Sequence, residues 1–148
     1  MEKTIRQLMF DVHENARTHG WWDAHKVEEG GPLRDLTVDE ILSKIMLVVT
    51  ELAEAVEEAR LPGFDPRQLY WAVFGAPNGM LTREAFFTDQ GREPRKDDKP
   101  EGFAVEIGDA VIRLLDLAGA MRIDLPKFIE IKHEYNKTRE FRHGNKSA

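Results

Sequence analysis

The chain has 148 residues, 41% hydrophobic and 32% charged, and this composition predicts one soluble globular domain instead of a disordered chain. Its net charge of −6 argues against nucleic acid as the main partner, and the absence of cysteine excludes disulfides and thiolate metal sites. Because the N-terminal segment is charged and no apolar run is long enough for a membrane span, we expect a cytoplasmic protein without a signal peptide.

Two helices are predicted in the first part of the chain. Between about residues 2 and 19, apolar residues recur at steps of three and four, the spacing of one helix face. The second helix begins after Thr37, which we predict as its N-cap in a capping box with Glu40, and runs to Arg60, before Pro62. Its apolar stripe consists of Ile41, Ile45, Val48, Leu52, Ala55 and Val56.

Two further helices are predicted in the second part. One covers about residues 101–121, and the other starts after Asp124, with Pro126 in its first turn, and runs to about residue 141. Between the second and third helices, residues 61–100 hold five of the seven prolines, so we expect a long irregular insert. A connection of this length should contain a short packed element. The predicted fold is an all-α, four-helix bundle-like single domain over residues 1–148.

Two acidic pairs lie within the apolar periodicity of the second and third helices. Glu51 with Glu54, and Glu106 with Asp109, are three residues apart and therefore lie on nearly the same helix face. In an antiparallel pair of helices these four carboxylates converge, and they then repel one another or take up protons unless a cation neutralises them. A ligand set of oxygens alone favours Mg²⁺, with Mn²⁺ able to substitute.

Solvated helix faces also carry this spacing, and Glu57 and Glu58 are expected to be surface residues of that kind. Glu51 lies in phase with Val48 and Leu52, so its pair borders the core face instead of opposing it. The repetition of the pattern on a second helix favours a shared metal site.

These residues resemble a known family. The segments ELAEAVEEAR, KPEGFAVEIGDAVIRLLDLA and YNKTREFRHGNK, in this order, resemble the MazG-like branch of the all-α nucleoside triphosphate pyrophosphohydrolases. The resemblance implies an α-helical bundle, usually oligomeric, that holds Mg²⁺ with Glu51, Glu54, Glu106 and Asp109. It also implies hydrolysis of a nucleoside triphosphate between the α and β phosphates, giving monophosphate and pyrophosphate. The chain departs from the compact family pattern in its longer gap between Glu54 and Glu106.

The proposed hydrolysis needs a group that orients or deprotonates a water and cations that bind phosphates. Glu54 is the first candidate for the former role, with Glu51 beside it. Three polar residues of the fourth helix follow at i, i+4 and i+7 and are predicted to bind the phosphates: Lys132, Asn136 and Arg139. The alternative is that this basic end only complements the helix dipole. The basic tract continues into the tail with Arg142, His143 and Lys146, where His143 as a general acid is an open alternative.

Trp21 and Trp22 follow the first helix directly. We include Trp22 among the substrate-binding residues, since an indole ring can stack on a base, although a core role is the competing interpretation.

Two other classes of protein compete with this interpretation. A di-iron bundle requires Glu-x-x-His on two helices, and no histidine follows an acidic residue of either pair at that spacing. A non-catalytic helical oligomerisation or interaction module predicts no metal dependence and a tolerated Glu51→Gln. Since four interrupted helices bury a small core, we expect a homodimer or a dimer of dimers in either case.

Overall fold

The computed structural model describes residues 2–75, 82–86 and 93–139. Side chains are described for all of these residues except 73–75 and 82–86. The described chain is mainly helical, as predicted, and also contains a small antiparallel sheet. None of its described helices is both long and apolar enough to cross a membrane. Its α-helices are α1 (Ile5–Thr18), α2 (Val38–Ala59), α3 (Phe103–Ala120) and α4 (Leu125–Lys137), and its strands are β1 (Tyr70–Gly75), β2 (Thr82–Phe86) and β3 (Lys99–Glu101). A short 3₁₀ helix covers Asp23–His25.

The chain divides into two compact units. Unit 1 comprises Met1–Thr37 and Leu115–Ala148, and unit 2 comprises Val38–Leu114. α3 is continuous and contributes its first two thirds to unit 2 and its last turns to unit 1.

Unit 1 is organised around a buried tryptophan. Trp22 has no exposed surface and packs with Leu33 and Ala120. Its indole Nε1 donates hydrogen bonds to both carboxylate oxygens of Asp116, at 2.9 and 3.1 Å. Asp116 also lies 2.7 Å from Nδ1 of His13, so this one carboxylate satisfies two ring nitrogens from different segments.

Capping residues define the ends of the unit 1 helices. α1 begins at a capping box in which the Thr4 hydroxyl accepts from the Gln7 amide and the Gln7 side chain accepts from the Thr4 amide. α4 begins as predicted, with Asp124 as N-cap and proline in the first turn. Asp124 also forms a 2.8 Å salt bridge with Arg6 of α1. α4 ends at Lys137, earlier than the predicted end near residue 141: Thr138 is its C-cap and Arg139 is no longer helical, while residues 140–141 lie outside the described residues.

In unit 2, α2 starts directly after Thr37, as predicted, and the insert contains the sheet. The strand order is β2-β1-β3, with both pairings antiparallel. The prediction of a short element within the insert is confirmed, whereas the prediction that the insert is irregular is wrong over its strands. Residues 70–75 have the aromatic and β-branched composition of a strand, and two partner strands complete their hydrogen bonding. The pairing of Tyr70 with Glu101 places the start of α3 beside the segment that precedes β1.

The apolar stripe predicted for α2 is only partly buried. Val48 and Ala55 lie in the core, whereas Ile45, Leu52 and Val56 are exposed. A single copy of the chain therefore leaves apolar surface of α2 open to solvent.

Candidate metal centre

Three acidic side chains of unit 2 converge between α2 and α3. The helices run antiparallel, because Glu51 contacts Arg113 near the end of the unit 2 part of α3 while Phe64, which follows α2, contacts Phe103 at its start. Carboxylate oxygens of Glu51, Glu54 and Glu106 all lie within 4.8 Å of one another. The helical spacing puts Glu51 and Glu54 on one face, and the antiparallel arrangement brings Glu106 to them.

This cluster is unusual because two of its carboxylates are buried. Glu51 is 5% exposed and Glu106 is 1% exposed, while Glu54 is open to solvent. Removing a carboxylate from water is costly unless hydrogen bonds or a positive charge compensate. The buried pair therefore requires compensation that an ordinary solvated acidic face does not.

Glu106 lacks part of that compensation. No described residue forms a hydrogen bond with its buried Oε2 atom. Burial, followed by a hydrogen bond to Glu101 and the charges of Glu101 and Glu54, raises the pKa of Glu106 to about 7, and the Lys99 ammonium only partly opposes this. A carboxylate cluster with an unsatisfied buried oxygen fits a hard divalent cation such as Mg²⁺, which would replace the missing partner.

Asp109, predicted as the fourth ligand, lies beside this three-carboxylate group and is not one of its members. It is half-buried, and burial together with the negative charge of Glu51 raises its pKa. The structure therefore brings all four predicted acids into one electrostatic environment but only three into close contact.

Three residues of the centre were missed by the sequence analysis. Arg113 donates to Oε1 of Glu51 through its guanidinium. Glu101 is buried next to Glu106, and its Oε1 lies 3.2 Å from Nζ of Lys99. Arg113 lies four residues after Asp109, so helical spacing could have indicated it. Lys99 and Glu101 depend on the pairing of β3 with β1, which no local pattern reveals.

The predicted phosphate-binding residues belong to unit 1. Lys132 and Arg139 both lie over the Tyr135 ring, with Nζ at 4.8 Å and Cζ at 5.9 Å from its centroid. Both are exposed, as is Asn136. Lys132 and Asn136 lie on α4, whereas Arg139 follows its C-cap Thr138, so the prediction that Arg139 occupies the i+7 position of the same helix is wrong. All three residues are in a different unit from the acidic cluster.

The structure places Trp22 away from solvent and does not describe the basic residues of the tail. Trp22 belongs to the core of unit 1, where a ring without exposed surface cannot stack on a base, so its placement corresponds to the competing interpretation. Arg142, His143 and Lys146 lie outside the described residues.

Comparison of the chain with protein-family models, curated proteins and solved structures gives no match.

The metal preference of the centre follows from the oxygen atoms of its carboxylates. Oxygen ligands of high charge density bind Mg²⁺ or Mn²⁺ in preference to softer metals, and a cation held there would attract the phosphates of a ligand.

Proposed function

We propose that the protein hydrolyses a nucleoside triphosphate between its α and β phosphates in the presence of Mg²⁺, releasing nucleoside monophosphate and pyrophosphate. The observation that supports this most strongly is the convergence of three carboxylates around the unsatisfied Oε2 atom of Glu106. The acidic and basic motifs, which occur in the order that resembles the MazG-like pyrophosphohydrolases, also support the proposal. A MazG-type helical fold is part of what we propose.

Glu51, Glu54 and Glu106 would hold the ion, with Asp109 adjacent to them. When bound, Mg²⁺ polarises phosphoryl oxygens and lowers the pKa of a coordinated water, and Mn²⁺ supplies the same chemistry. The carboxylates alone would repel a triphosphate, so we expect an absolute requirement for the cation.

Glu54 is the best candidate to accept the proton of the attacking water. It is the exposed member of the cluster, whereas Oε1 of Glu51 already accepts hydrogen bonds from Arg113. A carboxylate that is accessible and not engaged by a guanidinium can take a proton on one oxygen as the water attacks phosphorus and the bond to the leaving pyrophosphate breaks.

Lys132, Asn136 and Arg139 are proposed to bind the phosphates, as a point charge, an orienting amide and a planar fork respectively.

We further propose a homodimer or a dimer of dimers in the cytoplasm, in which a second copy covers the open stripe formed by Ile45, Leu52 and Val56. A contiguous apolar patch on a helix is typical of a protein contact.

The test is product analysis of a panel of ribo- and deoxynucleoside triphosphates with Mg²⁺ and with chelator. We expect monophosphate and pyrophosphate from the wild type, about a hundredfold less product or lower from Glu54→Gln because its general base is removed, and none with chelator. Glu57→Gln is the matched control, because Glu57 is exposed on the same helix and pairs with Arg60. A folded protein that binds no Mg²⁺ and turns over no triphosphate would contradict the proposal.

The open apolar surface also favours the second candidate, a non-catalytic helical oligomerisation module. This function predicts that Glu51→Gln leaves the protein's association unchanged and that chelator has no effect on it. Because both candidates associate, sedimentation of the wild type and of Glu51→Gln, with and without Mg²⁺, is combined with the product analysis: association that neither change affects, together with no hydrolysis of any triphosphate, favours the module.

A further inference from the structure

Unit 2 contains an open cavity of about 350 Å³ that the acidic cluster does not explain. Its volume falls within the range of small-molecule sites. The cavity lies between the end of α2, the segment that leads into β1, and the start of α3. The lining residues used below are Glu58, Phe64, Asp65, Gln68, Tyr70 and Phe103.

Aromatic rings form the apolar wall of this cavity. Phe64 and Phe103 pack edge to face, with their centroids 5.4 Å apart and their planes at 76°. Tyr70 is fixed by its hydroxyl, which donates to Oε1 of Glu58 at 2.7 Å. A flat heterocycle can therefore contact ring surface held in place by packing and by a hydrogen bond.

Gly102 allows two segments that line the cavity to approach each other closely. Gly102 has φ +126°, and a Cβ atom there would lie 2.5 Å from the carbonyl oxygen of Gln68. The Gly102 carbonyl also accepts from the amides of Val105 and Glu106, at 2.9 and 3.1 Å. This residue therefore starts α3 and at the same time lets the segment before β1 approach the helix closely.

The cavity lies one helical turn from the acidic cluster along both helices. On α2, the lining residue Glu58 follows the cluster residue Glu54 by four positions. On α3, the lining residue Phe103 precedes the cluster residue Glu106 by three positions. One turn corresponds to about 5.4 Å, a distance that a sugar can span between a base and its first phosphate.

Resting on the proposed function, we propose that this cavity binds the base of the triphosphate and selects bases that carry an exocyclic amino group. Glu58 and Asp65 place carboxylates on its rim, and an ionised carboxylate only accepts hydrogen bonds. Cytosine, adenine and guanine present amino donors to such a rim. Uracil and thymine flank their single ring N–H with two carbonyl groups, which a carboxylate repels.

The first test measures binding without metal. The wild-type chain in the presence of chelator is titrated with the deoxynucleosides of cytosine, adenine, guanine, uracil and thymine, which carry no phosphate for the acidic cluster to repel, and amide chemical shifts are followed by NMR. We expect the three amino-bearing bases to bind at least about tenfold more tightly, with shifts at residues 64–70 and 102–103, since a hydrogen bond to a charged acceptor is worth about 1.5–3 kcal/mol.

Two variants refine this test. Asp65→Asn adds a donor to the rim and should reduce the preference for amino-bearing bases about tenfold, while Phe64→Ala should weaken all bases together. Lys96→Ala is the control, because Lys96 is exposed in unit 2 and does not line the cavity. Circular dichroism verifies that each variant is folded.

The two proposals fail in different ways. Hydrolysis of all triphosphates at equal rates, with Asp65→Asn and Phe64→Ala like the wild type, overturns the assignment of the cavity and leaves the proposed function intact. Selective binding of amino-bearing deoxynucleosides without hydrolysis of any triphosphate keeps the cavity and overturns the proposed function. A wild type that binds no deoxynucleoside, or binds deoxyuridine equally well, overturns the inference directly.

Discussion

Arg113 donates to a single carboxylate oxygen of Glu51 through two of its nitrogens, and the two residues come from helices that are far apart in the sequence. This pair supplies positive charge to a cluster in which Glu51 and Glu106 are buried. It also leaves Oε2 of Glu51 available for a cation. Arg113 thus compensates part of the charge of the centre without occupying it.

Replacement of Arg113 by Met should destabilise the metal-free protein. The variant leaves Glu51 buried without its partner, and we expect a loss of about 1–3 kcal/mol in the free energy of unfolding, since the partly exposed guanidinium places the effect below that of a fully buried pair. Mg²⁺ should recover more stability in Arg113→Met than in the wild type. Urea unfolding with and without Mg²⁺ measures both quantities, and Arg60→Met, at an exposed surface pair, is the control.

The raised pKa of Glu106 makes the stability of the metal-free protein depend on pH. Its pKa is about 7 in the folded protein and 4.5 ordinarily, so the folded state holds a proton over a range in which the unfolded state has lost it. The contribution of Glu106 to stability is therefore fully present below pH about 4.5 and is lost as the pH rises through about 7.

Thermal unfolding in chelator should accordingly show a lower melting temperature at pH 8 than at pH 6. Glu106→Gln should flatten this dependence, because the amide does not titrate, and excess Mg²⁺ should reverse it in the wild type. An unchanged pH profile in Glu106→Gln would show that another group is responsible.

Gly102→Ala should open the contact between α3 and the segment before β1. The new Cβ would meet a backbone carbonyl at 2.5 Å, and φ is +126°, so we expect a loss of about 1–3 kcal/mol and weaker binding in the adjacent cavity. Gly108→Ala is a control in α3, the helix that Gly102 directly precedes, because a Cβ there meets nothing within 4 Å and alanine favours the helix. Chemical denaturation of both variants should give effects of opposite sign.

Trp22→Phe tests the core of unit 1 separately from the metal centre. The change removes the indole donor to Asp116 and leaves a partly buried carboxylate with fewer hydrogen bonds, for an expected loss of about 1–3 kcal/mol. Trp21→Phe should have little effect, because Trp21 is exposed. Mg²⁺ affinity per folded molecule, measured by calorimetry, should stay the same in both variants; a reduced affinity in Trp22→Phe would assign this residue to the site.

Local spacing was sufficient to predict the helices and the acidic pairs. Apolar periodicity, Asp124 as N-cap and proline as a helix terminator act within a few residues, so the four helices could be located to within several positions. The same reasoning placed Glu51 with Glu54, and Glu106 with Asp109, on shared faces. The capping box of Thr4 and Gln7 was also readable but was overlooked.

Contacts between distant segments decided the other residues of the metal centre, the cavity and the position of Trp22, because such contacts are not encoded in the spacing of neighbouring residues. The register of β3 on β1 puts Lys99 and Glu101 beside Glu106, and the close approach of Gly102 to Gln68 forms part of the cavity lining. The hydrogen bonds to Asp116 assign Trp22 to the core. The spacing of residues in the sequence was thus enough to predict the acidic pairs. The burial that raises the pKa of Glu106, in contrast, arises only in the tertiary structure, where separate elements exclude water from its carboxylate.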